Sequence, residues 1–371
     1  MTGFSAPTEA ILLSCIETAK APFRVARPPG LATLALTPRP PSMKGTDDGV
    51  KYHQHHEGRT TLDRMGSTGG RIRQGAGKPN LAGTIFRRRR RSNLMNDLSA
   101  DIKSMKLYHH VDRVVNELRE LGKDETGPLL VDELTAFDQL HYHGTEAVDE
   151  AIRATNIDEG SSVLEIGSGL GGPARYLASA TGAEVTALEL QEDHHLMASS
   201  LTERCGLDDR VKHLCGDFLT HHWDGAQFQA IVSWLALYHI PQRDVLLERC
   251  RSLLEDGGFV YAEDLCERRP FDDLERAELA SDLFANYLPS RDQYRLDLID
   301  AGFEPILFED MSDDWAVFTR DRLNSYLEHR DRHLRVHGEE VFETMCAFYD
   351  TMVRLFSGGK LGGLRVVARK I

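Results

Sequence analysis

The segment Val163-Leu164-Glu165-Ile166-Gly167-Ser168-Gly169-Leu170-Gly171-Gly172 constrains the fold of this chain more than any other. A short apolar run that stops at a cluster of glycines and passes into a helical pattern over 171–180 is a strand–turn–helix unit. Glycine lets the backbone turn tightly there and approach a ligand that a side chain would exclude. Further strand patterns at 184–190, 211–215, 228–234 and 259–262 alternate with helical patterns reaching about residue 205 and covering 242–254. That alternation predicts an α/β protein: a Rossmann-like parallel sheet with right-handed crossovers and helices on both faces.

Beyond Cys266 the order loosens. Helices are expected over 272–287 and 292–301, a strand over 304–308, long helices over 314–337 and 340–356, and a last strand over 364–369. Upstream, Val111, Val114, Val115, Leu118 and Leu121 recur at helical spacing, and a second helix is expected over 145–155. No internal repeat is visible.

Charge divides the 371 residues sharply. Residues 1–92 hold 16 Lys/Arg against 6 Asp/Glu, while the remainder holds 28 against 52. The acidic body argues against a nucleic-acid groove, which needs a basic face, and is compatible with a cationic or zwitterionic small molecule. Residues 1–95 contain Pro28-Pro29-Gly30, Pro38-Arg39-Pro40-Pro41 and the run Arg87 to Arg91 without apolar periodicity. They are expected to be a disordered basic extension or a targeting leader, or else an overlong start preceding Met95 or Met105. The expected compartment is the cytoplasm, or an organelle if the extension is a transit peptide. No membrane insertion is expected, because the longest apolar candidate, 230–241, is interrupted by Ser233 and His239. Six cysteines without a CxxC pattern read as reduced thiols. His329, His333 and His337 share one helix face, but Arg330, Arg332 and Arg335 surround them, so a solvated face and no metal are expected.

The chemistry concentrates at strand ends. Gly167-x-Gly169-x-x-Gly172 fits a dinucleotide fingerprint as well as other nucleoside sites. Glu189 ends the next strand, 22 residues after Gly167, where a carboxylate can accept both ribose hydroxyls. A diphosphate gains nothing from Glu165 beside the glycines, whereas a ligand bearing an ammonium and a sulfonium does. Gly216-Asp217-Phe218 follows the third strand and places a carboxylate and a ring for adenine. The expected cofactor is S-adenosyl-L-methionine, with Leu190 and Trp234 completing its wall.

From about Leu140 to Ile371 the chain resembles the class I S-adenosylmethionine-dependent methyltransferases, and among them the phosphoethanolamine and sarcosine/dimethylglycine enzymes. The resemblance is carried by the glycine segment, Leu237-Tyr238-His239-Ile240-Pro241, Leu254-Glu255-Asp256-Gly257-Gly258, Ala262-Glu263-Asp264-Leu265-Cys266 and Gly359-Lys360-Leu361-Gly362-Gly363. It implies a seven-stranded sheet closed by a reversed last strand, with an N-terminal helical lid over 96–156 and the methyltransferase domain over 157–371. It also implies a catalytic histidine, His239, paired with a tyrosine, for which Tyr142 in His141-Tyr142-His143-Gly144 is the candidate. The family's aspartate four residues before the histidine is Leu235 here.

An ammonium acceptor must lose a proton before it attacks, and His239 is the expected base. Asp264 is expected to hold a cationic head, Tyr287 and Tyr294 to offer ring faces, and Lys360 to meet a carboxylate or phosphate. The expected function is methyl transfer to a small amine or zwitterionic metabolite of the glycine-betaine or phosphocholine type. The alternatives are a methyltransferase for a lipid, quinone or other natural product, a nicotinamide-dependent oxidoreductase on the same glycines, and a binding protein without turnover.

Overall fold

A computed structural model describes residues 110–371. The extension expected over 1–95 and the start of the expected lid, 96–109, lie outside the described residues.

Seven strands form one sheet in the order β3-β2-β1-β4-β5-β7-β6. They are β1 (Ser162–Ile166), β2 (Glu184–Glu189), β3 (Val211–Cys215), β4 (Phe228–Trp234), β5 (Leu254–Glu267), β6 (Phe303–Asp310) and β7 (Leu361–Lys370). The first five pair in parallel, and β7 runs antiparallel between β5 and β6. The reversed closing strand implied by the resemblance is therefore present.

Helices cover both faces, which is why the central strands are apolar on both sides. Successive residues of β1 feed opposite cores, as the two-residue strand period requires. Val163 packs with Ala147 and Leu177 from α2 (Thr145–Thr155) and α3 (Gly172–Thr181). Leu164 packs with Leu246 and Leu298 from α5 (Arg243–Leu253) and α7 (Arg291–Asp300). Between them, α4 (Glu192–Arg204) connects β2 to β3.

Beyond β5 come α6 (Asp273–Asp282), then α8 (Ser312–Glu328), α9 (Arg330–His337) and α10 (Glu339–Ser357). Trp315 of α8 packs against β7, where a Cβ on Gly363 would come within 2.0 Å of its ring. The glycine pair in the closing segment is thus a packing requirement.

Three expectations change. The helix predicted over 272–287 stops at Asp282, because the chain beyond it folds over the turn after β4. The helix predicted over 314–337 is two helices, broken at His329, whose ψ of 23° is not helical. Strand β5 begins five residues early, since Glu255-Asp256-Gly257-Gly258 reads as a turn in sequence yet continues the strand through a bulge opposite β4.

The break at His329 also overturns the solvated histidine face. Redirected by it, α9 packs against α1 (Asp112–Glu120), and His337 is only 8% exposed. Glu117 accepts hydrogen bonds from both Nη atoms of Arg332 (3.1 and 2.6 Å) and lies 2.8 Å from His337 Nε2. Burial alone would raise the Glu117 pKa, but these bonds outweigh it and hold the carboxyl down to about 2.

Candidate active site

The parallel strands end at one edge, and a cleft of about 1220 Å³, counting its open mouth, lies along it. Ligands in open α/β sheets sit at this edge, beside the first crossover. Its floor is the turn after β1. Gly167 adopts φ +75°, and a Cβ there would stand 2.4 Å from that of Ala236, so only glycine lets the two strand ends converge. Ser233 Oγ–H donates to the Ile166 carbonyl (2.8 Å) and ties the same two strands together. Leu235 takes the left-handed region at φ +53° and lines the cleft.

Glu165 is 2% exposed and lines this floor. The N–H of Ala174, in the first turn of α3, donates to its carboxylate, and Oε2 has no partner among the described residues. Burial pushes its pKa well up, while nearby Arg175 pulls the other way. A buried acid with one free oxygen in a cleft is suited to pair with a cation. Glu189 lies at the rim, where Oε2 accepts the Gly169 N–H (2.8 Å) and Oε1 the Gln191 N–H (2.9 Å). Gly169, Leu190, Asp217, Phe218 and Trp234 all line the cleft. Gly172 stands behind it, against the Asp138 carbonyl. Asp217 Oδ1 accepts the Leu219 N–H (2.9 Å), which sets the turn after β3.

Sequence reading missed Arg175 and Asp138. Arg175 has no exposed surface and holds Asp138 at 2.9 Å, the Leu170 carbonyl at 2.7 Å, and the Ala198 carbonyl and Thr202 Oγ1 each at 3.2 Å. It thereby fastens the chain before α2 to the glycine turn. An arginine within an apolar helical stretch was the available signal, since burial demands such partners.

His239 sits on a short 3₁₀ turn (Leu237–His239) after β4 and lines the cleft. Its Nδ1 lies 3.0 Å from the Phe284 carbonyl oxygen. Burial pushes its pKa down to about 4, only partly opposed by that hydrogen bond, so the ring is neutral near pH 7. Opposite, His141 also lines the cleft. Its Nε2–H donates to the Gly144 carbonyl (2.9 Å), and burial lowers its pKa to about 4.

Comparison with known proteins agrees with this geometry. Residues 163–258 match a family model described as a methyltransferase domain. A sarcosine/dimethylglycine N-methyltransferase of Halorhodospira halochloris is 30% identical over 55% of this chain and 72% of its own length. The chain belongs to the S-adenosylmethionine-dependent methyltransferases. Phosphoethanolamine N-methyltransferase 3 of Arabidopsis thaliana is 25% identical, over 61% of this chain and 46% of that protein. The chain spans 34% to 46% of the length of four of the curated relatives it matches. A solved structure of Haemonchus contortus phosphoethanolamine N-methyltransferase 2, with phosphomonomethylethanolamine and S-adenosylhomocysteine, shares the fold. Its TM-score is 0.58 at 19% identity, covering 63% of this chain and 54% of that one.

The donor of this methyltransferase family carries an ammonium, a sulfonium and a nucleoside. The residues present fit it: an unpaired buried carboxylate oxygen at Glu165, a carboxylate at Glu189, and a turn after β1 that tolerates no side chain at Gly167.

Other expected site residues lie elsewhere. Tyr142 is buried among Trp315, Phe318 and Phe356, with ring centroids 4.9 to 6.2 Å away, and does not line the cleft. Asp264 is fully buried, accepts the N–H groups of Tyr238 and Leu265 (each 3.0 Å), and pairs with Arg243 at 3.1 Å. The rings of Tyr287 and Tyr294 do face a cation, but it is Arg243, at 5.1 and 4.9 Å. Lys360 pairs with Glu275 (2.5 Å) and Asp272 (3.4 Å) at the start of α6. Burial and internal pairing account for all five.

Proposed function

We propose that this methyltransferase acts on a small amine or zwitterionic metabolite, with His239 facing the acceptor. The observation that carries the proposal is the Nδ1 contact of His239 with the Phe284 carbonyl, within the cleft that Glu165 and Glu189 also line. A carbonyl only accepts, so Nδ1 bears the hydrogen and the neutral ring keeps its lone pair at Nε2. When bound, S-adenosylmethionine supplies a methyl group on a positively charged sulfur. The protein's part is to bind, orient and exclude water, and to offer Nε2 to an N–H or O–H of the acceptor. The names of the Halorhodospira and Arabidopsis relatives support an amine acceptor.

A second reading, transfer to a lipid, quinone or other natural product, draws on the lining. Leu140, Leu235, Ile240 and Pro241 line the same cleft as His239, and the charged residues expected to grip a zwitterion are paired elsewhere. A screen with labelled methyl donor separates the two. Transfer to glycine, sarcosine, dimethylglycine, phosphoethanolamine or a thioether acid supports the first reading. Transfer only to apolar acceptors supports the second.

A further inference from the structure

We infer that Phe284 is a positioning residue for His239 and acts through its main chain; the inference rests on the reading of His239 as the group facing the acceptor. Phe284 stands at φ +48°, in the left-handed region that L-residues with a Cβ avoid. Such conformations persist where surrounding structure enforces them, and they gather at functional sites. Here the surroundings are explicit. Helix α6 stops at Asp282, Leu283 follows at φ −112°, and the Ala285 N–H returns to the Leu279 carbonyl at 2.9 Å. The left-handed step at Phe284 turns its carbonyl toward His239 Nδ1, 3.0 Å away. The same carbonyl accepts the Asn286 N–H at 3.0 Å, using its second lone pair.

The next two residues hold the turn that bears His239. Asn286 Nδ2 donates to the His239 carbonyl (3.3 Å), and the Tyr287 N–H donates to the Tyr238 carbonyl (3.1 Å). From beneath, Asp264 accepts the Tyr238 N–H at 3.0 Å and is itself held by Arg243, whose guanidinium lies 5.1 Å from the Tyr287 ring centroid. With its backbone clamped on both sides, the imidazole can place Nδ1–H on the Phe284 carbonyl and keep Nε2 as the acceptor. Had α6 continued through residue 287, that carbonyl would be spent inside the helix and Nδ1 would lose this partner.

The test is the ring tautomer, which a purely structural role for Phe284 would leave unchanged. The full chain carries ¹⁵N-labelled histidine, and long-range ¹H–¹⁵N correlation spectra report which ring nitrogen is protonated. His239 is assigned by the signals lost in His239→Gln. Wild type and Phe284→Gly, which adopts positive φ freely, are expected to show the Nδ1–H form. Phe284→Pro, locked near φ of about −65°, is expected to show Nε2–H or an average of both forms. Phe284→Val, which disfavours the left-handed region more mildly, serves if the proline variant does not fold. An Nε2–H ring in wild type or in Phe284→Gly overturns the inference, as does a folded Phe284→Pro or Phe284→Val that keeps the wild-type pattern. If the tautomer switches in Phe284→Pro while His239→Ala transfers methyl groups at the wild-type rate, the positioning role stands and His239 leaves the chemistry.

Discussion

Glu189 accepts the main-chain N–H of Gly169 at 2.8 Å, so the carboxylate ending β2 is fastened to the glycine turn after β1. Its other oxygen is set by the Gln191 N–H, and the Gly169 bond ties the two strand ends together at the cleft rim.

Glu189→Ala is expected to weaken binding of S-adenosylhomocysteine by about 1–3 kcal/mol, the range for a lost hydrogen bond to a charged group. Calorimetric titration measures it. Unchanged affinity would detach Glu189 from cofactor binding.

Glu165 is expected to make cofactor binding sensitive to pH. Burial raises its pKa, so the empty site favours the protonated acid, while a cationic ligand favours the carboxylate. Binding is therefore expected to release a proton, and affinity to fall as pH falls through the raised pKa. Titrations of S-adenosylhomocysteine in buffers of different ionisation enthalpy count that proton. Glu165→Gln should abolish the release.

The sheet, its parallel order and the glycine turn after β1 were legible because glycine spacing and apolar strand runs are local signals. Glu165 stood out as a charge inside an apolar strand, and Glu189 by its place at the end of the next one. The acceptor side was illegible for a different reason. Asp264, Tyr287, Tyr294 and Lys360 have the right chemistry for a zwitterion, but whether such groups face a ligand or one another depends on tertiary pairing. Arg243 satisfies three of the four, and α6 takes the last. The resemblance to small-amine enzymes led to Tyr142, while folding placed His141 in the cleft and its neighbour in an aromatic cluster.

His239→Ala is expected to lower turnover about 100-fold, the lower range for a general base, with cofactor affinity intact. Since the His239 pKa lies at about 4, its neutral form persists from pH 9 down to about 5. If neutral His239 takes the proton of a bound ammonium, kcat/KM should stay flat over this range; if only the free amine reacts, with a pKa of about 10.4, kcat/KM should rise tenfold per pH unit and His239 serves only to position it. Initial rates between pH 6 and 9 decide which pattern holds.

Glu117 joins α1 to α9 and should govern acid stability. Its folded pKa of about 2 lies below the ordinary 4.5, so its contribution is complete above pH 4.5 and lost as pH falls toward 2. That shift corresponds to about 3 kcal/mol at most. Denaturant unfolding of wild type and Glu117→Gln should therefore differ near pH 6 and converge as pH approaches 2. A difference independent of pH would contradict the ion pair.

The most direct measurement is parallel calorimetric titration of the full chain with S-adenosylhomocysteine and with NAD. Saturable one-to-one binding of the sulfur nucleoside, weakened in Glu189→Ala, with no heat from the dinucleotide, is the expected result. Saturable binding of NAD without binding of S-adenosylhomocysteine would contradict the assignment of this cleft.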